Sequence, residues 1–435
     1  MPSSVPAPGI DTATISTRIL TLDLTRDADD IWDRIRRGFA MPDLVNERVS
    51  EQQLVYLNRP PFLKQVLVRG SRYLYYIVDE LERRGMPTEL ALLPMVESNY
   101  NPLALSRAQA SGLWQFIPST GRSYKLTQDH WVDERRDVIA STDAALDYLQ
   151  SLYNMYGDWQ LALASYNWGE GSVRQALERN RAQGISTEYD ALSMPAETRN
   201  YIPKLQAIKN IIATPELFHL ELPYVANEQL FSTVDAPTGI DLATAARFAD
   251  MSIEEFLAFN PGYNRPVITT PGQTLLVPAD RAEQFKARLD EFKPSGKSWR
   301  SHTLAQGENL ETVASRHGLT MPQLRQLNGL APNSKVAPGY PLLVPNGIEP
   351  DNALAVSRLL PATANARLGN SPTIRLNGRA SKSRGTTRSV KPRTRTPANI
   401  RAVAKAVVGK IRPRARATAK PQTPSASRAR RRADP

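Results

Sequence analysis

A mainly α-helical domain, two small α+β modules and a disordered basic tail are what this 435-residue sequence predicts. Three observations carry that expectation. Apolar residues recur at helical spacing from Ile31 to about Ile212, with strand signals nearly absent. A stretch beginning near Gly239 then recurs at a fixed offset. Near residue 349 the composition turns abruptly to Arg, Lys, Ala, Pro, Thr and Ser.

The elements follow in order. Residues 1–25 are rich in Pro, Ser and Thr and predict a flexible leader. The helical domain spans 26–215. In it, Leu67, Leu74, Ile77, Val78 and Leu81 share one face of a helix over Val66–Arg84 that stops at Gly85. A second helix starts at Pro87-Thr88, carries Leu90, Leu93 and Val96, and is expected to kink at Pro94. Further helices are predicted over Ser141–Tyr156, Trp159–Tyr166, Ser172–Gln183 and Pro195–Ile212.

The repeat defines the second half. Gly239-Ile240-Asp241-Leu242 through Asn260 matches Gly307-Glu308-Asn309-Leu310 through Asn328 at an offset of 68. Pro271-Gly272 with Val277-Pro278 recurs as Pro338-Gly339 with Val344-Pro345 at an offset of 67. Each copy reads strand, helix, helix, strand, with Ser252 and Thr320 capping the second helices. The modules are placed at 224–279 and 300–346, with a linker at 280–299 and the tail at 349–435.

Charge follows this division. From Asp351 onward there are 21 Lys and Arg against two acids, whereas the first 350 residues hold 34 bases and 41 acids. The net charge of +12 therefore belongs to the tail, and it predicts contact with anionic envelope polymers rather than a specific nucleic acid. The sequence has no cysteine, which excludes disulfides, thiolate metal sites and a thiol nucleophile. His130, His219, His302 and His317 lack metal-ligand spacing, and Gly169-Glu170-Gly171 lacks the strand and Lys of a phosphate loop. No metal or cofactor is expected.

Carboxylate chemistry remains. Glu97 follows the apolar run Leu90–Val96, where it is either solvated or held in a pocket that raises its pKa toward that of a general acid. Glu89, Asp133, Glu134 and Glu170 are the other acids considered, each read as a solvated surface acid or cap. Two aromatic and amide clusters follow, Gly112-Leu113-Trp114-Gln115 and Ala164-Ser165-Tyr166-Asn167-Trp168-Gly169. Rings that cover sugar faces and amides that bond hydroxyl and acetamido groups suit a carbohydrate site. Trp114, Trp168 and Tyr100 taken singly read equally well as core.

The succession Glu97-Ser98, Gly112–Gln115, Ala164–Gly169 and the Tyr within Glu197-Thr198-Arg199-Asn200-Tyr201-Ile202-Pro203-Lys204 resembles the four motifs of the goose-lysozyme-like lytic transglycosylases, glycoside hydrolase family 23. The two repeats resemble LysM modules, the first with Thr238-Gly239-Ile240-Asp241 at its degenerate start. The resemblance implies a lysozyme-like catalytic domain followed by two βααβ wall-binding modules. It implies that peptidoglycan glycan strands are the substrate and that Glu97 acts as acid and then base. Cleavage would fall between N-acetylmuramic acid and N-acetylglucosamine, without water, to give 1,6-anhydromuramoyl ends. Ser98, Gln115, Tyr166, Asn167 and Tyr201 are the implied substrate-binding or positioning residues. Asn260 and Asn328 are expected to shape saccharide grooves or cap helices. A catalytically dead wall-binding scaffold and a water-consuming muramidase are the alternatives. The resemblance also implies the periplasm or envelope of a Gram-negative bacterium. The first twenty residues hold no apolar leader, so one is expected upstream of Met1.

Overall fold

The computed structural model describes residues 29–292, 298–347 and 350–361. The leader at 1–25 and the tail beyond residue 361 lie outside the described residues. The helical domain is built on one long helix, Pro60–Arg83, which starts where the sequence places two prolines in a first turn. Leu63, Val66, Leu67, Gly70, Tyr73, Leu74, Ile77, Val78 and Leu81 form its buried stripe at three- and four-residue spacing. Ile31–Arg37, Glu47–Leu57 and Val138–Tyr156 pack on it; Trp159–Trp168 packs on Val138–Tyr156, Glu170–Ala182 on Trp159–Trp168, and Tyr201–Ala213 on Glu47–Leu57 and Trp159–Trp168. Asp137 and Asp158 cap two of these helices by accepting from the amides of Ala140 and Leu161.

The segment predicted as a Pro94-kinked helix is instead two helices. Thr88–Leu92 is a 3-10 turn, and an α-helix begins afresh over Leu93–Ser98 with Pro94 in its first turn. A first-turn proline needs no amide donor, so Pro94 starts the helix and does not bend it. Residues 88–95 are all buried, so this strand of helix runs through the core. Likewise the predicted Pro195–Ile212 helix is divided at Asn200 into Ala196–Arg199 and Tyr201–Ala213.

Each module is a βααβ unit. Phe231–Asp235 pairs antiparallel with Thr274–Pro278, with Val234 opposite Leu275. Ser298–Thr303 pairs antiparallel with Pro341–Asn346, with His302 opposite Leu342. Ser252 with Glu255, and Thr320 with Gln323, form reciprocal capping boxes at the second helices. Asn260 and Asn328 are buried and occupy equivalent places. Each amide donates to the carbonyls of its helix and of the closing strand (Phe256 and Leu276, Leu324 and Leu343) and accepts from that strand's amide. They pin helix to sheet, which fits the helix-capping expectation for both residues.

Two boundaries differ from the expectation. The supposed linker at 280–299 contains the helix Ala282–Glu291, whose Phe285 is fully buried in the first module's core. The supposed tail from 349 begins with the helix Asp351–Ser357. Its Val356 enters the first module's core while Ala353 and Leu354 enter the second's, so it fastens the two together. Both helices carry only a few apolar residues at helical spacing, which composition alone averages away.

Candidate active site

The Leu93–Ser98 helix ends where Asn99 and Tyr100 both adopt left-handed conformations, with φ of 52° at each. That reversal tucks the Tyr100 ring against Gly70, where an added Cβ would lie 2.7 Å from the ring. The Tyr100 hydroxyl donates to the Ala91 carbonyl at 2.7 Å. Glu97 is thereby fixed one residue before the helix end, half-buried in a groove of about 470 Å³. Val96, Gln115, Tyr166, Asn167, Trp168, Glu197, Tyr201 and Lys204 also line it.

Glu97 Oε1 accepts a hydrogen bond from the Tyr201 hydroxyl. Burial pushes the Glu97 carboxyl up to about 7, against the lowering effect of that hydrogen bond. The negative charge of Glu197 adds to the rise, and Lys204 opposes it. The groove therefore holds a carboxyl that is partly protonated at neutral pH and can both give and take a proton.

The other residues singled out from sequence divide into two groups. Tyr166 lines the groove and donates to the Trp114 carbonyl at 2.8 Å, tying the third motif to the second. Asn167 accepts from the Thr198 hydroxyl at 2.9 Å through its carboxamide oxygen, tying the third motif to the fourth. Gln115, at φ 50°, donates to the carbonyls of Gly112 and Ala104. Trp168 is half-buried at the groove wall. In the second group, Ser98 is buried and its hydroxyl donates to the carbonyls of Pro94 and Leu113, so it joins the Glu97 helix to the second motif from below. Trp114 is fully buried with its indole donating to Thr142, and Tyr100 is fully buried as described; both are core. Gly112 is where the second motif crosses the Arg135 backbone, at φ +88°, with a Cβ position 1.9 Å from that carbonyl oxygen.

Two of the acids, Glu89 and Asp133, were misplaced by the sequence reading. Glu89 is buried, not solvated: it accepts from the amides of Ala40 and Met41 and pairs with Lys209. Asp133 is buried between Arg135 and Arg136. Glu134 accepts from the Thr127 amide across a turn. Glu170 is exposed in a helical first turn. None of them lines the groove. Glu197, Thr198 and Lys204 were overlooked although they lie in the fourth motif. For Lys204 the signal was the three-residue spacing that puts it on the helix face of Tyr201, whereas Glu197 and Thr198 lie in a separate short helix and carried none.

Comparison with known proteins agrees with this layout. The Transglycosylase SLT domain family matches residues 75–188. The family described as Lytic transglycosylase MltD, LysM-like domain matches 230–294, and the LysM domain family matches 302–345. Membrane-bound lytic murein transglycosylase D of Escherichia coli (strain K12) is 36% identical over 331 residues, covering 73% of this chain and 73% of that protein. The chain belongs to the lytic murein transglycosylase D family. Membrane-bound lytic murein transglycosylase C of Edwardsiella ictaluri is 29% identical over 162 residues, 32% of this chain and 45% of that protein. As a transglycosylase D family member, the chain is a peptidoglycan lytic transglycosylase with LysM domains. The LysM-like match runs to residue 294 and so takes in the Ala282–Glu291 helix that sequence reading assigned to a linker. The SLT match ends at 188, short of Tyr201 and Lys204, which complete the groove in this transglycosylase D family chain.

Proposed function

We propose that Glu97 is the single acid/base of a water-free cleavage of peptidoglycan strands. Its carboxyl proton passes to the oxygen that links C1 of N-acetylmuramic acid to the next N-acetylglucosamine, and the C1–O bond breaks. The neighbouring acetamido group steadies the cationic C1. Glu97, now a carboxylate, accepts the proton of the C6 hydroxyl as that oxygen bonds to C1. The muramoyl end becomes a 1,6-anhydro ring, the other product gains a free hydroxyl, and no water is consumed. A hydroxyl tethered to the same sugar has a high effective concentration, so no second carboxylate is needed to activate it.

The observation that carries this reading is Glu97 held in the groove with the Tyr201 hydroxyl on its Oε1, where burial pushes its carboxyl up to about 7. Two-carboxylate glycosidases need one acid and one separate base or nucleophile. Here one carboxyl near neutrality serves both steps. Asn167 has its carboxamide oxygen engaged by Thr198, which leaves its amide protons for sugar carbonyl or hydroxyl oxygens. Gln115 has its amide nitrogen engaged, which leaves its oxygen as an acceptor. Ser98 and Tyr166 position the motifs that bear these groups.

The site of action is the cell envelope, where peptidoglycan lies. Among the described residues no helix is long and apolar enough to cross a membrane. The basic tail contacts anionic envelope polymers, and LysM binding holds glycan strands near the groove and raises local substrate concentration. Kinetics on purified sacculi test the role of Glu97. Glu97→Gln keeps size and polarity but cannot cycle a proton, so the rate is expected to fall at least ~100-fold. Retention of more than a tenth of the rate would remove Glu97 from the mechanism.

A further inference from the structure

The same loop has opposite fates in the two modules. In the second, the segment 331–339 between the last helix and the closing strand is largely exposed. Its counterpart in the first, 263–271, belongs to a segment in which every residue from 260 to 268 is buried. What covers it is a loop of the catalytic domain. The Asp133 amide donates to the Gly262 carbonyl at 2.8 Å and the Asn264 amide to the Trp131 carbonyl at 2.8 Å. Arg136 donates to the Pro261 carbonyl and to the Asn264 carboxamide oxygen, and the Asn264 carboxamide donates to the Asp129 carbonyl.

The second module is joined at the same place. His130 lies between Arg265 of the first module and Tyr340 of the second, 3.1 Å from the guanidinium and 3.0 Å from the phenol. Burial, reinforced by the Arg265 charge, pushes His130 down to about 3, so its ring stays neutral and accepts from Arg265. Val132 packs in the first module's core and Val267 of the first module packs in the second's. The Asp351–Ser357 helix closes the far side. Three units thus share one buried polar and apolar joint, whereas modules on tethers would keep this surface solvated.

We propose that the first module is an adaptor rather than a saccharide binder: it spends its 260–268 loop on docking and fixes the second module to the catalytic domain. Glycan affinity then rests on the second module, held at a set spacing from Glu97. This consequence for glycan rests on the wall-cutting function proposed above; the rigid joint does not.

The chain has no native cysteine, so a pair of spin labels can be placed uniquely. Glu178→Cys in the catalytic domain and Lys335→Cys in the second module are both exposed. The expected result in the full chain is one narrow inter-label distance distribution, broadened when Arg265→Ala is added. A broad distribution without Arg265→Ala overturns the adaptor, and that outcome does not depend on how the variant folds. In a second arm, the labelled full chain is titrated with N-acetylglucosamine tetramer and its amide resonances followed. Of the two modules only the second is expected to show shifts, and shifts in residues 260–268 overturn the assignment. No shift in either module counts against the wall-binding reading, while the distance distribution still decides the joint.

Discussion

The Tyr201 hydroxyl donates to Oε1 of Glu97 across 104 residues of sequence. The bond favours the carboxylate while burial favours the acid, and burial prevails. Tyr201 itself is pushed well above its ordinary value by burial and by the adjoining Glu97, so it donates throughout the physiological range. The pair therefore sets where on the pH scale the groove can both give and take a proton.

Activity should accordingly fall as pH rises through about 7, because the acid form of Glu97 is lost. Tyr201→Phe removes a hydrogen bond that stabilises the charged form. The alkaline limb of kcat/KM should then move to higher pH, with a lower plateau. A limb that stays in place would mean that Tyr201 acts on substrate and not through Glu97.

Glu197 and Lys204 act on Glu97 with opposite signs. Glu197→Gln should move the same limb to lower pH, and Lys204→Met should move it to higher pH. Glu197 is exposed, so its effect should shrink as salt rises from 10 to 500 mM, roughly as the Debye length shortens. Shifts of the same sign in both variants would show that charge is not the cause.

Holding Glu97 in the groove costs stability in one pH window. Its folded value lies above the ordinary 4.5, so the folded state keeps a proton that the unfolded state releases between 4.5 and about 7. Stability is lost as pH rises through that window and stays lost above it. Glu97→Gln never charges, so it should match the wild type at pH 4 and exceed it at pH 8 by about 1–3 kcal/mol. Thermal unfolding at the two pH values checks this.

Gly112→Ala should be among the most damaging single-methyl changes in the catalytic domain. The Arg135 carbonyl occupies the Cβ position, and φ is +88°. A loss of at least ~2 kcal/mol is expected from the strained backbone and the clash together. Gly157→Ala, with nothing within 4 Å of its Cβ and φ +65°, gives the conformational cost alone. Denaturant midpoints of the two variants, side by side, separate the two contributions.

The helical core, the repeats and their N-cap residues were legible because each rests on local spacing. The Leu67–Leu81 stripe and the Ser252 and Thr320 caps need only neighbours three or four residues away, whereas the start of the long helix at Pro60, six residues before the expected Val66, was not read. The groove members Glu97, Gln115, Tyr166, Asn167 and Tyr201 were reached through a family resemblance, since no local pattern brings them together. For Ser98 that route left substrate contact and positioning open, and its hydroxyl holds the Leu113 carbonyl, which fits positioning. Glu89 and Asp133 looked like surface acids because sequence does not show the amides and guanidinium groups that fold over them. The docking of 260–268 was equally hidden, because its partners lie more than a hundred residues earlier.

The central claim is that one carboxyl performs both proton transfers and that the attacking hydroxyl is the sugar's own. Mass spectrometry of purified glycan strands digested by the full chain, beside Glu97→Gln, tests it most directly. Anhydro-ended muropeptides from the wild type, with none from the variant, are the predicted result. Products heavier by one water would contradict it and would make Glu197, the other carboxylate lining the groove, the residue to examine as an activator of water.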